Sequence, residues 1–153
     1  MDIILRSLLR DLVSAVEQND REQIELLLSD GLQADVPDRF GVRTAFLAAV
    51  KAGNLEIVRW LIRDVHHPDL SDNNNTPLSY VIHQLGEAPS PVIRQHWLEM
   101  MECLLEAGAD PTAGDRDGKP IVLSRLYGMK DIEAILEQCI EVRRLGRATA
   151  KPN

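Results

Sequence analysis

The apolar positions of the chain recur at helical spacing in short segments separated by polar turns. Ile24, Leu27 and Leu28 lie three or four residues apart among charged neighbours, which is the pattern of a helix with one buried face. The same spacing returns 34 positions later, in the segment 54–62. A repeat of this length predicts stacked copies of one small unit rather than a single irregular core.

Small landmark residues mark the same period along most of the chain. Asn19, Gly53, Gly86 and Gly128 are separated by 34, 33 and 42 residues. The third interval is a period of the same length that carries about nine extra residues, 87–96. A shorter apolar segment precedes each landmark, which predicts four copies of a unit made of a short helix, a turn, a longer helix and a loop. These segments are 12–18, 44–52, 76–85 and 119–127.

Three motifs that carry the period resemble pieces of an ankyrin repeat. They read Thr-Pro-Leu at 76–78, Leu-Leu-Glu-Ala-Gly-Ala-Asp-Pro at 104–111, and Ala-Gly-Asn-Leu-Glu-Ile-Val at 52–58. The resemblance covers roughly residues 8–140. It implies an all-α fold, an ankyrin-repeat solenoid of about four helix-turn-helix units with finger loops and degenerate terminal units.

The organisation expected from the period is one ankyrin-repeat domain followed by a tail. The domain is expected to span residues 1–140, with units at about 1–37, 38–70, 71–114 and 115–140. Ser90-Pro91 predicts the start of a helix reaching to residue 107, some two turns longer than its counterparts. After about Gln138 the helical pattern fades, so we expect residues 141–153 to form a basic, flexible tail.

Several positions agree with the repeat and others depart from it. Thr44 and Thr76 can cap the first helices of their units through their hydroxyl groups. Val65 stands where a glycine is expected, so the chain should leave that helix by a different turn. Lys119 replaces the capping threonine of the last unit, and Arg125 stands where a small residue is expected.

The composition excludes some classes of function. The chain has 153 residues and a net charge of −7, which argues against proteins that bind nucleic acids by neutralising phosphates or bind membranes through a basic surface. The two cysteines are too few for a disulfide scaffold and fit a reducing compartment. With no signal peptide or membrane-spanning segment visible, we expect a cytoplasmic protein, and a monomer.

The loop 114–120 offers two kinds of ligand chemistry, and neither fits. As a phosphate-binding loop it is one residue too short, and Pro120 stands where a magnesium-binding hydroxyl is required. As a calcium loop it would begin at Ala113 and end at Ser124, neither of which is acidic. We interpret this loop as a finger of the repeat.

The histidine and cysteine residues do not form a convincing metal or catalytic site either. His66 and His67 with Asp69 are adjacent loop residues without a fixed third ligand for a metal. His96 and Cys103 share a helix face but lie about 10 Å apart along the axis, beyond hydrogen-bond reach. We therefore expect no catalytic residues, no metal and no cofactor.

The resemblance implies a protein-binding surface formed by the finger tips and by the groove along the short helices. The leading hypothesis is a non-enzymatic protein–protein interaction module, an inhibitor or neutralising partner of another protein. The alternative is an adaptor or effector that uses the helix 91–107 and the basic tail as a second contact surface. The site residues carried over from the family are Glu17, Gln18, Arg39, Phe40, Arg43, Lys51, Asp72, Asn73, His83, Gln84, Arg116, Asp117, Leu126 and Tyr127.

Two features of this set stand out in the sequence. Arg39, Arg43 and Lys51 form a central basic group, expected to meet an acidic stripe on a folded protein. Phe40 and Tyr127 are the aromatic members, of the residue class in which interface energy concentrates. Phe40 can either point outward from its finger or fold back on the stack.

Overall fold

The computed structural model describes residues 2–38 and 43–149, and this part of the chain contains eight α-helices. The remaining residues, among them Arg39 and Phe40 of the expected site, lie outside the described ranges. The helices are α1 (Ile3–Glu17), α2 (Arg21–Ser29), α3 (Ala45–Lys51), α4 (Leu55–Leu61), α5 (Pro77–Glu87), α6 (Pro91–Glu106), α7 (Pro120–Leu126) and α8 (Lys130–Thr149).

The helices form four helix-turn-helix units that stack in chain order. Within each unit the two helices pack together, and α1, α3, α5 and α7 pack successively against one another. We call these four the inner helices and α2, α4, α6 and α8 the outer helices. One continuous apolar cluster runs through all four units, from Leu12 and Ile24 to Ile132 and Leu136. The expected all-helical repeat architecture is confirmed.

The helix starts follow the predicted capping chemistry. The Thr44 hydroxyl accepts the backbone N–H of Leu47 at 3.0 Å, and Thr76 forms a reciprocal capping box with Ser79. Ser90 accepts the N–H of Ile93 at 3.3 Å. Lys119 makes no such side-chain bond within the described structure, as expected from its side chain, which cannot accept a hydrogen bond.

The turn that follows α4 has no glycine and is held instead by a buried aspartate from an earlier loop. A short 3₁₀ turn, Ile62–Asp64, follows α4. The Asp35 Oδ2 atom then accepts the backbone N–H groups of His66 and His67 at 2.6 and 2.8 Å. Asp35 is buried and belongs to the preceding loop, so a side chain from one unit completes the turn of the next.

The inserted residues lengthen both helices of the third unit. The helix expected from Pro91 to residue 107 runs from Pro91 to Glu106. Its partner α5 continues through Gly86 to Glu87, so Gly86 is helical and not the turn residue that its place in the period predicts. Because helices of this length outreach their neighbours, their extra turns can contact units on either side.

The first turns of α6 contact the second and fourth units. His96 Nε2 lies 2.8 Å from the carbonyl oxygen of Gly53, and must be the donor because a carbonyl only accepts. Arg94 pairs with Asp131 of α8 at 2.7 Å. Trp97 is only 9% exposed and packs edge-on against Tyr80 and His96. The lengthened third unit therefore packs into the middle of the stack and contacts both of its neighbouring units.

The segment expected to form a flexible tail from residue 141 continues α8 as far as Thr149. The Arg143 guanidinium donates to the Gly108 carbonyl oxygen at 2.8 Å and lies 3.5 Å from the Asp110 carboxylate. Ile140 packs against the core cluster. These contacts join the last turns of α8 to the loop that follows α6.

Arg125 places an ionic network on the exposed surface of the last unit. Its guanidinium bonds to Glu133 at 2.9 Å and to Glu137 at 3.1 Å, both on α8. A small residue there would leave room for another inner helix, whereas the charged network presents ionic groups to solvent. Charged groups at this position are typical of terminal repeats, whose outer face meets solvent.

Candidate binding face

The predicted groove residues lie along one side of the inner helices. A cleft of about 290 Å³ opens there between the first and third units. Its floor includes Leu47 and Ala48, and its walls carry charged side chains from three successive units. The lining residues are Glu17, Arg43, Thr44, Leu47, Ala48, Lys51, Ala52 and Asp72. Glu17 and Lys51 come from inner helices, Arg43 lies just before the N-cap of α3, and Asp72 comes from a finger.

Two ion pairs cross between units in this cleft. Arg43 pairs with Glu17 of the first unit, and Lys51 pairs with Asp72 of the third. Each pair places one positive and one negative group side by side. The described part of the expected basic group is therefore locally neutralised, and the face presents mixed charge.

The Lys51–Asp72 pair is well supported by its surroundings. The Lys51 ammonium lies 5.4 Å from the centre of the Tyr80 ring, a favourable cation–π distance. The Tyr80 hydroxyl donates to the Lys51 carbonyl oxygen at 3.3 Å. Burial alone raises the pKa of Asp72, but Lys51 and the N–H groups of Asn74 and Asn75 together hold that pKa below its ordinary value.

A third bridge joins the third and fourth units farther along the same face. The Tyr127 hydroxyl donates to Glu87 at 3.1 Å, because a carboxylate only accepts. Its oxygen is then free to accept from His83 Nδ1, 3.0 Å away, which assigns the proton of a neutral His83 to Nδ1. Burial, followed by the bond to Glu87, raises the pKa of Tyr127. His83 Nε2 is buried without a hydrogen-bond partner among the described residues.

The Tyr127 ring packs directly against the backbone of Gly86. A Cβ atom at Gly86 would lie 2.4 Å from two carbons of that ring, far inside van der Waals contact. The absence of a side chain on this turn of α5 therefore lets Tyr127 lie directly on the helix backbone. Gly86 lies within α5 and does not have a positive φ, so the close approach of Tyr127 alone requires glycine here.

Gly86→Ala is expected to destabilise the protein by about 1–3 kcal/mol, because the new methyl group displaces Tyr127. In a Tyr127→Ala background the same change should reverse sign and stabilise by about 0.5–1 kcal/mol, since alanine favours helix. Urea unfolding of the four proteins of this double-mutant cycle gives both values. Equal effects of Gly86→Ala in the two backgrounds would contradict the seating of Tyr127 on Gly86.

The fingers of the third and fourth units are joined edge to edge. The Asp117 N–H donates to the Asn74 carbonyl oxygen at 3.0 Å, and the Asn75 amide donates to Asp117 at 2.8 Å. Asn73 has a left-handed φ of 74°, which places it at the tip of its turn. The Arg116 side chain is exposed and makes no hydrogen bond or ion pair with the described residues.

The remaining predicted residues lie at the edges of this face. Gln18 is exposed and donates to Ser14 within α1, and Gln84 is half-buried on α5. Leu126 is 76% exposed beside Tyr127 at the end of α7. The structure thus brings Glu17, Arg43, Lys51 and Asp72 together, joins His83 to Tyr127, and places Asn73, Arg116 and Asp117 on the fingers.

Sequence reasoning missed two residues of the face, Tyr80 and Glu87. Both belong to bridges already described, one beneath Lys51 and one bonded to Tyr127. Tyr80 lies three residues before His83, and Glu87 lies four residues after it. This spacing places the three side chains on one side of a helix. That signal was present in the sequence once α5 was extended beyond residue 85.

The other candidate chemistries are accounted for by structural contacts. His96 bonds to Gly53, and the Asp69 carboxylate accepts the N–H of Asp110 at 2.9 Å. Burial, and more weakly the charge of Asp110, raises the pKa of Asp69. Across residues 2–38 and 43–149, histidine, cysteine and acidic side chains do not gather in any group of three suited to a metal. No described helix is both long and apolar enough to cross a bilayer.

Comparison with known proteins agrees with the architecture. The family model of ankyrin repeats, in three copies, matches residues 12–115. No curated protein matches the chain. Proteins of this family generally mediate protein–protein interactions and are typically not enzymes. The match covers most of the chain and coincides with the stacked helix pairs from α1 to α6, and the chain therefore belongs to the ankyrin-repeat family.

Proposed function

We propose that this chain is a non-enzymatic binding protein that holds another protein against its inner-helix face and finger tips. We call the surface formed by Glu17, Arg43, Lys51, Asp72, Tyr80, His83, Glu87 and Tyr127 the bridged face. The observation that carries the proposal is that three successive contacts between units line up along it. They are Glu17–Arg43, Lys51–Asp72 and His83–Tyr127.

These bridges support binding because they order the surface before a partner arrives. Long charged side chains lose rotamer freedom when a partner immobilises them, at a cost of about 0.5–1.5 kcal/mol each. Arg43 and Lys51 are already held by carboxylates, and Tyr127 is seated on Gly86. A partner therefore meets a face whose larger side chains are already positioned.

The chemistry of the bridged face describes the partner it suits. Because positive and negative groups alternate across the cleft, the complementary surface is one of mixed charge and not a purely acidic stripe. At the other end, Leu126 and the Tyr127 ring offer an apolar contact. We propose that the partner is a folded protein whose own site is covered by this face, so that binding inhibits it.

We also propose a cytoplasmic location for the protein, on the basis of its cysteines. Cys103 and Cys139 are both free thiols, and a reducing cytoplasm is the compartment in which free thiols persist. The inhibited protein is accordingly expected there.

Charge reversal on the two faces tests the proposal. Arg43→Glu with Lys51→Glu breaks two inter-unit pairs on the bridged face. The matched control is Arg21→Glu with Arg59→Glu, which breaks two inter-unit pairs on the outer helices, Arg21–Glu56 and Arg59–Glu99. Both double variants change the net charge equally, so a difference between them reports the position of the change.

Immobilised wild-type protein and the two double variants would be compared for capture of proteins from a native lysate, followed by direct titration of any captured protein. We expect the bridged-face variant to lose affinity about tenfold or more, with the control close to wild type. Equal loss by both variants, or retention by the bridged-face variant, would refute binding at this face.

A further inference from the structure

The outward side of α8 carries an exposed apolar stripe. Ile135, Val142 and Leu145 are 38%, 62% and 52% exposed, with the exposed Gln138 between them. Their spacing of three and four residues places all four on one side of the helix, in the a and d pattern of paired helices. The stripe lies apart from the buried positions Ile132 and Leu136 that hold α8 to the stack.

A shallow apolar cleft adjoins the stripe. It has a volume of about 370 Å³ and lies between the end of α6 and the middle of α8. Leu105 and Ala109 line one side, and Cys139 and Val142 line the other. The stripe and cleft together make a groove on the outer-helix side of the stack, away from the bridged face.

The charges along α8 are divided between its two halves. Residues 130–139 contain one basic and three acidic side chains, whereas residues 140–149 contain three basic and one acidic side chain. On the exposed surface this division sets Glu137 and Glu141 before Arg144 and Arg147. Arg144 pairs with Glu141 of its own helix, and Arg147 has no ion pair among the described residues.

A helix with its charges divided in this way is complementary in charge to an antiparallel copy of itself. Antiparallel alignment of two such helices sets the acidic half of each against the basic half of the other, while parallel alignment sets like charges together. Antiparallel alignment also brings the Leu145 end of one stripe beside the Ile135 end of the other. These are the requirements of a two-fold symmetric contact, in which one patch meets its own copy.

We propose that the outer side of α8 is a self-association surface, on which α8 of a second copy of this chain packs antiparallel about a two-fold axis. This surface belongs to the convex, outer-helix side and is independent of the proposed partner on the bridged face. It departs from the expectation of a monomer. A different protein on the same surface, as the adaptor hypothesis requires, is an outcome that the test separates.

Analytical ultracentrifugation of the wild-type chain and two valine variants tests the stripe. We expect a concentration-dependent dimer in the wild type. Val142→Asp should weaken it about tenfold or more by burying a charge at the contact. The control is Val92→Asp, which alters an even more exposed valine at the start of α6. Far-UV circular dichroism confirms that both variants are folded.

A charge-exchange pair tests the antiparallel geometry. Glu137→Lys with Glu141→Lys makes the exposed positions 137, 141, 144 and 147 all basic, and Arg144→Glu with Arg147→Glu makes the same four positions all acidic. Each variant alone should be monomeric, and their mixture should form a one-to-one heterodimer. Raising the salt concentration should weaken the wild-type dimer and the mixed dimer alike.

Several results would overturn the proposal. They are a wild-type chain that stays monomeric into the hundreds of micromolar, a dimer that Val142→Asp leaves intact, and charge variants that do not pair when mixed. Capture of a different protein through α8 by a monomeric wild type would instead favour an adaptor. Arg43→Glu with Lys51→Glu should leave the dimer unchanged, so this result is separable from the fate of the bridged face.

Discussion

Trp97→Ala is expected to lower the free energy of unfolding by about 3–5 kcal/mol, the range for removing a large aromatic side chain from a core. Trp97 packs against Tyr80 and His96, and its ring lies beside Gly53 of the second unit. The loss would therefore fall on the joint between the second and third units. Urea unfolding followed by circular dichroism measures it.

The control for Trp97→Ala is Val92→Ala, on the same helix but largely exposed. It should change the free energy of unfolding by less than about 0.5 kcal/mol, as expected for a surface position. If Trp97→Ala were equally mild, the extra turns of α6 would not be part of the core. The insertion would then be an appendage, and its role in tying the stack would be wrong.

Asp35→Ala is expected to destabilise the protein by about 2–4 kcal/mol, because the N–H groups of His66 and His67 lose their shared acceptor. Asp35→Asn should lie between alanine and wild type. An amide oxygen can accept the same two bonds but carries no charge, and charge-assisted bonds are the stronger ones. Urea unfolding of the three proteins gives the order.

The matched comparison for Asp35 is with an exposed aspartate that caps no buried group. Asp11→Ala in α1 changes such a residue and should have little effect. If Asp35→Asn were as damaging as Asp35→Ala, the hydrogen-bonding role assigned to Asp35 would be contradicted. A turn that lacks its usual glycine would then need another explanation.

The fold could be predicted from the sequence because the signals of the repeat are local ones. Thr76-Pro77 at a helix start and Gly108 after a helix end are signals read within a few residues. The period then relates each unit to the next without knowledge of any long-range contact. The continuation of α8 past residue 140 was not predicted, for the opposite reason: Arg143 bonds to Gly108, 35 residues away, and no local pattern reveals that contact.

The site was predicted less completely, because its character depends on contacts between units. The sequence predicts Arg43 as a free cation, whereas in the structure it pairs with Glu17, 26 residues earlier. Lys51 and Asp72 are 21 residues apart, and His83 and Tyr127 are 44 apart. The repeat indicated which positions share a face. It did not indicate which charges neutralise one another, and so the described members of the expected basic group, Arg43 and Lys51, lie in a face of mixed charge.

The most direct test of the central claim is site-specific photo-crosslinking from the two sides of the stack. A photoreactive residue at Gln84 on α5 lies at the edge of the bridged face, and one at Gln95 on α6 replaces an exposed glutamine on an outer helix. We predict that Gln84 yields a crosslinked protein, which Arg43→Glu with Lys51→Glu abolishes, while Gln95 yields none. Crosslinking from Gln95 but not from Gln84 would contradict the account.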